Sequence, residues 1–298
     1  MMRRGTIYGN RFILFGLSVI VAVLFIFAPK VGAIAVEKGL TVSPIKTEID
    51  IAPGGSFTGK LLIENSTHKL MKVVFSAEEF DTVNQQYDYN FDQSSDIAKW
   101  INFYPSELSL LEAESGEVSY SLNIPMSAEP GGKYISLFAN NDEPSTDAGV
   151  NSRQRVASLL YITVLGDITR TGNLVYLSSP WLINNRVDFN MKLQNIGTAH
   201  FRSVYNVKVM GLVGDSVIAE TQGESLILPG TIRLITNEFP LPKYPGVYKV
   251  VYVIGLGDNP AVKETRYFLY MPLAAIIFIV IVVFFGLSLL IRKLIKKN

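Results

Sequence analysis

The chain has 298 residues, 48% of them hydrophobic, with 27 basic and 26 acidic side chains and no cysteine. Without disulfides, an exported domain has to be stabilised by its own core. Residues 36–267 hold all the acids but only nineteen of the bases, a net charge near −7, which excludes the basic footprint of a nucleic-acid binder.

In chain order, the first element is the apolar run Phe12–Ala28, preceded by Arg3, Arg4 and Arg11 and followed by Ala33-Ile34-Ala35. A basic start, an apolar middle and a small-x-small site are the parts of a secretory signal peptide, here residues 1–35 with cleavage after Ala35. The run is also close to the lower limit of about 17 residues for a membrane span, so an uncleaved anchor is the other reading.

Alternation dominates the middle of the chain. Phe57, Gly59, Leu61 and Ile63 point one way, and Thr58, Lys60 and Glu64 the other. Val118, Tyr120, Leu122 and Ile124 repeat the pattern, and Val187, Phe189, Met191 and Leu193 show it most cleanly. A period of two is the signature of a strand with one buried and one wet face. Residues 155–164 are apolar on both faces in their second half, as expected for a strand flanked on both sides. Turns such as Pro53-Gly54-Gly55, Pro130-Gly131-Gly132, Pro229-Gly230 and Pro245-Gly246 punctuate the strands. Many short strands with regular turns predict an all-β fold of sandwich type.

The pattern also repeats. Leu61–Asn65 is followed by a polar turn containing His68, and Met191–Asn195 by one containing His200. Each is followed by a Leu-rich strand and then a Pro-Gly segment leading to a tyrosine, Tyr134 or Tyr248. This order predicts two tandem Ig-like β-sandwiches, 36–166 and 167–267, parted where Gly166–Gly172 breaks the alternation. Both histidines read as solvated turn residues.

The last element is Met271–Ile291, which carries no charge. At about 1.5 Å per residue it covers the roughly 30 Å hydrocarbon core of a bilayer. The transmembrane segment is set at 268–291 and the tail at 292–298. Arg292, Lys293, Lys296 and Lys297 hold that tail in the cytoplasm. Cleaved or not, the N-terminal segment then leaves the sandwiches outside the cell membrane.

Several of these residues carry a resemblance. Gly39–Pro44, the turn Pro53-Gly54-Gly55, Asn65-Ser66-Thr67, Lys99–Phe103 and Pro130–Tyr134 follow one another as in the first extracellular domain of the WxL-interacting surface proteins of Gram-positive bacteria. A looser likeness is to pilus-chaperone sandwiches. The resemblance implies a signal peptide, two Ig-like domains, one helix and a basic tail. It also implies non-enzymatic binding of cell-wall glycan or of other surface proteins. No residue of this chain matches a diagnostic binding motif of that family.

Candidate sites gather between the first strands. Asp88, Asn90, Asp92 and Asp96 alternate as oxygen ligands for calcium would in a curled loop. An EF-hand is excluded, because Gln93 stands at the glycine position and Lys99 where the bidentate Glu belongs. The other reading is a solvated loop. Among the nearby aromatics, Tyr87, Tyr89 and Trp100 have polar neighbours and are the candidates for stacking on sugar rings or anchoring a partner. Ser66-Thr67-His68-Lys69 spells S-x-x-K, but it sits in a hairpin turn without the partner motifs of the serine enzymes. No H-E-x-x-H, G-x-S-x-G or phosphate-binding loop occurs. The sequence therefore predicts no enzyme and no cofactor other than calcium. It predicts a membrane-anchored surface binding or scaffold protein that works through loops or sheet edges, the alternative being a chaperone-like assembly factor.

Overall fold

The computed structural model describes residues 39–141, 145–147, 150–152, 154–178, 180–212 and 216–295. The predicted signal peptide and its cleavage site lie outside the described residues. Among the described residues the fold is mostly β, with one long helix following the last strand.

The first sandwich opens with β1 (Leu40–Ser43) and β2 (Lys46–Ile51), followed by β3 (Ser56–Asn65), β4 (Met71–Thr82) and β5 (Tyr89–Asp92). A single 3₁₀ turn, Ala98–Trp100, leads to β6 (Ile101–Tyr104), β7 (Glu107–Leu110), β8 (Ser115–Asn123) and β9 (Gly131–Asn141). The short hairpin β10 (Ser145–Asp147) and β11 (Val150–Ser152) precedes β12 (Arg155–Val164). One sheet has the order β1-β3-β8-β6; the other is β2-β12-β9-β4-β5, with β7 also on β4. The alternating residues read from the sequence form the seam between them: Leu61, Ile63, Val118 and Leu122 are fully buried against Ile135, Leu137, Leu160 and Ile162. Close packing of such apolar faces is the main stabilising term, about 25 cal/mol per Å² removed from water.

The second sandwich repeats the plan. Its strands are β13 (Gly172–Leu177), β14 (Leu182–Ile183), β15 (Val187–Asn195), β16 (Phe201–Gly211), β17 (Val217–Ile227), β18 (Ile232–Phe239), β19 (Gly246–Leu256) and β20 (Asn259–Tyr270). Its sheets have the orders β13-β15-β18 and β14-β20-β19-β16-β17. In β15, buried and half-buried residues alternate throughout, and Phe189 meets Tyr252, Phe239 and Phe268 in the core.

The internal repeat has an atomic counterpart. Asn65 and Asn195, each fully buried, end equivalent strands. The Asn65 amide donates to the carbonyls of Lys69 and Leu111, at 2.7 and 2.9 Å. The Asn195 amide donates to those of Ala199 and Ile227, at 2.9 and 2.8 Å. Each side-chain oxygen accepts from the backbone N–H two residues on. An asparagine that bonds its own turn and a distant strand fixes both at once.

The two sandwiches meet through a small aromatic cluster of Phe80, Tyr87, Tyr134, Tyr161, Leu226 and Leu228. After two residues, Met271 and Pro272, β20 gives way to α1 (Leu273–Ile295). Residues Leu273–Ile291 have a mean hydropathy of 3.2 and none of that stretch is buried, so this helix is long and apolar enough to cross a membrane.

Candidate functional site

The feature that separates the two sandwiches is how each closes the edge of its last strand. In both, the first strand starts in one sheet and crosses to the other. In the first sandwich β1 pairs with β3, the chain bends at Pro44, and β2 then runs parallel to β12 over six residues, Leu159–Val164. The second half of β12 is apolar on both faces because Leu160, Ile162 and Val164 face the first core while Tyr161 packs in the junction with the second sandwich. In the second sandwich β13 pairs with β15, but the crossing strand β14 covers only Leu269 and Tyr270 of β20. Residues 259–268 of β20 keep β19 as a partner on one side and have no strand on the other among the described residues. Among the described residues, no strand pairs with the other side of β13.

Between these two open edges runs a groove of about 610 Å³ lined by Gly172–Val175, Gln194, Leu256, Asn259, Pro260, Val262 and Glu264. One end is tied shut where the Asn259 amide donates to the Gly172 carbonyl at 3.0 Å. Inside it, Glu264 is ion-paired with Arg266 at 3.0 Å. Leu174 and Val262 pack onto the core cluster and form the apolar floor. An open strand edge offers a row of unpaired N–H and C=O groups to any extended chain. Here Pro260 and the charged pair restrict what that chain can be.

The sequence-predicted site residues are dispersed. Tyr87, expected at the surface, is buried between the sandwiches. Its backbone adopts a φ of 69°, turning the ring inward while Asn84, Gln86 and Asp88 stay at the surface. Its hydroxyl accepts the Leu228 N–H at 2.9 Å and bonds the Thr231 hydroxyl at 2.7 Å. Arg233 lies over the ring at 4.3 Å. Burial raises the Tyr87 pKa, against the lowering effect of those hydrogen bonds. Trp100 is half-buried against the first core. Tyr89 is 38% exposed and packs edge-on to Phe80.

The four oxygen-bearing residues also turn to separate partners. Asp88 accepts from the Asn84 amide, Asp92 accepts from the backbone and hydroxyl of Ser94, and Asp96 pairs with Lys99. Asn90 lies in β5 opposite Asp81. Among the described residues, no group of three or more acidic or histidine side chains converges as a metal site would.

His200, expected in solvent, is buried against Tyr134 and Tyr161, with Nδ1 3.3 Å from the Tyr134 hydroxyl. Burial pushes its pKa down to about 4. Burial likewise pushes the Tyr134 and Tyr161 hydroxyls up. Nearby, a cleft of about 520 Å³ is spanned by ion pairs, Arg202 with Glu48 and Arg170 with Asp50. These pairs neutralise one another and fasten β2 to the second sandwich. His68, by contrast, is exposed and beside Glu112.

These features define a chain of two β-sandwiches, joined through an aromatic junction and ending in one apolar helix. No protein-family model matches it, and no curated protein does. Among solved structures it is similar to the class 5 fimbriae chaperone CfaA, with 11% identity and a TM-score of 0.42 over 79% of this chain and 100% of that one. It is also similar to a chain of the complex of the Salmonella enterica SafA pilin with the SafB chaperone, with 11% identity and a TM-score of 0.38 over 78% and 96%. A chain of the CFA/I chaperone–tip adhesin complex gives 10% identity and 0.40 over 77% and 99%. No family model supports the resemblance to the WxL-interacting proteins read from the sequence. At such distances the likeness is one of plan, not of ligand or role.

Proposed function

We propose that this chain is a non-enzymatic, membrane-anchored handler of exported surface proteins, which receives an extended segment of a client as an added strand on β20. The reading rests on one observation: the last strand of the first sandwich is covered by the chain's own β2, while residues 259–268 of β20 lie open beside a groove. Strand addition draws affinity from the backbone and specificity from alternate side-chain positions. An indiscriminately apolar strand is rejected, because it would strip water from Glu264 and Arg266 without replacing it. The segment that fits sets apolar residues over Leu174 and Val262 and a polar or charged residue over the Glu264–Arg266 pair. With the basic tail in the cytoplasm, α1 holds this groove on the outer face of the cell membrane. The fimbrial complexes named above pair a chaperone with a pilin or a tip adhesin, and an assembly role of that kind is the form of the proposal favoured here.

The second reading is a standing scaffold for cell-wall glycan, for which Tyr89 is the exposed aromatic candidate. A photo-reactive phenylalanine analogue placed at Lys263 on intact cells tests the two. The expected result is a covalent adduct with another exported polypeptide at Lys263 and none at Glu64, an exposed control on β3 flanked by Thr41 of β1 and Ser115 of β8. Adducts with wall fragments alone would favour the scaffold, and no difference between the two positions would remove the strand-addition claim.

A further inference from the structure

The end of the second sandwich nearest α1 exposes several large apolar side chains, and the register places them close together along the strands. The final pair of the β19–β20 ladder is Gly246 with Tyr270, and only Met271 and Pro272 then precede the helix. Trp181, 73% exposed, lies at this end, its carbonyl accepting the Leu269 N–H at 2.7 Å. Tyr244, 63% exposed, sits in the loop just before Gly246, and Val247 pairs with Leu269. On the neighbouring strands, Val217 pairs with Met210, Met210 with Lys249 and Lys249 with Tyr267, so exposed Val217 and Tyr267 are three residues from the end of the ladder. Exposed Leu212, one residue beyond the Gly211–Tyr248 pair, completes the set. At about 3.4 Å per residue, all of them lie within roughly 10 Å of Tyr270 along the strand direction.

We infer that this end of the sandwich is a membrane-seating surface: it rests on the bilayer with Trp181, Tyr244 and their apolar neighbours in the headgroup layer. The inference rests on the reading that α1 spans the membrane. Continuity identifies the occupant, since two residues of chain cannot hold the sandwich far from the hydrocarbon in which the helix begins. Tryptophan and tyrosine favour that layer because one part of the ring is apolar and the other bonds water and headgroups. Lys243, whose ammonium lies 5.2 Å from the centre of the Tyr244 ring, adds the charge that interfacial anchors carry toward phosphate. A single span alone would leave the sandwich free to tilt. Seated in this way, the β13–β20 groove faces sideways, parallel to the membrane, at a fixed height.

The chain's two tryptophans, Trp100 and Trp181, supply the probe. The full-length protein carrying Trp100→Phe is reconstituted in phosphatidylcholine vesicles in which part of the lipid is brominated at the top of the acyl chains. Trp181 emission should be quenched about twofold, since interfacial side chains reach about 5–10 Å into the headgroup boundary. The Trp181→Phe protein, reporting Trp100, should be unaffected. In the unsubstituted chain the loss should be partial, as one reachable tryptophan of two gives. A chain that resists alkaline carbonate extraction but whose Trp181 is unquenched would overturn the seating and leave the anchor standing. A chain that carbonate strips from the vesicles would overturn both.

Discussion

Replacing Asn195 by alanine removes one side chain that holds three backbone groups. Two carbonyls, of Ala199 and Ile227, lose donors at 2.9 and 2.8 Å, and the Gly197 N–H loses an acceptor at 2.8 Å. The residue is fully buried, so water does not take over these bonds. At about 1 kcal/mol for each partner left unsatisfied, the loss is roughly 3 kcal/mol. For the second sandwich, roughly a hundred residues long, that lowers the melting temperature by about 12–24 °C. Thermal unfolding of the full chain in mild detergent, followed by circular dichroism, reads the shift. Asn195→Asp sharpens the test, because it keeps the acceptor for Gly197 but turns a carboxylate toward two carbonyls, so it should cost at least as much. Asn65→Ala should behave alike, since Asn65 makes the equivalent bonds in the first sandwich. An alanine variant within about 1 kcal/mol of the parent, or a harmless aspartate, would refute the reasoning.

The junction and its histidine give two more expectations. Tyr87→Phe keeps the ring beneath Arg233 but orphans the Leu228 N–H, so stability should fall by about 1–2 kcal/mol in urea unfolding; an unchanged midpoint would mean the hydroxyl holds nothing. His200 has a folded pKa of about 4 against 6.5 in the unfolded chain, so the unfolded state binds the extra proton between those values. Stability is therefore fully present above about pH 6.5 and falls as the pH drops toward 4, by roughly 3 kcal/mol at the bottom of the window. His200→Gln should flatten that slope, and an equal slope in both proteins would assign it to other groups.

Much of the fold is legible in the sequence because a period of two is a local signal. Val187–Leu193 displays it, and the same residues alternate in burial in β15. The Asn turns and Pro-Gly segments revealed the repeat, since a buried asparagine and a bend leave their letters in the chain. The candidate site was less accessible. That residues 259–268 of β20 have a strand on one side only, among the described residues, is a fact about pairing across nearly ninety residues, from Leu182 to Leu269, and nothing within residues 259–268 announces it. Tyr87 misled for a related reason: Asn84, Gln86 and Asp88 do face solvent, and only a positive φ turns the ring between them inward. His200 lies in a polar turn, as read, but that turn packs on the first sandwich's aromatics, a contact between segments far apart in sequence.

Hydrogen exchange on the full chain in lipid nanodiscs tests the open edge most directly. Amides that point outward from an uncovered strand exchange with water, while those in the interior of a sheet are protected. Peptides spanning Val262–Phe268 should therefore show a fast-exchanging fraction of about half their amides, against near-complete protection for Leu159–Val164 beneath β2. Equal, full protection of both strands would mean that the edge of β20 is already occupied, and the receiving groove would not exist.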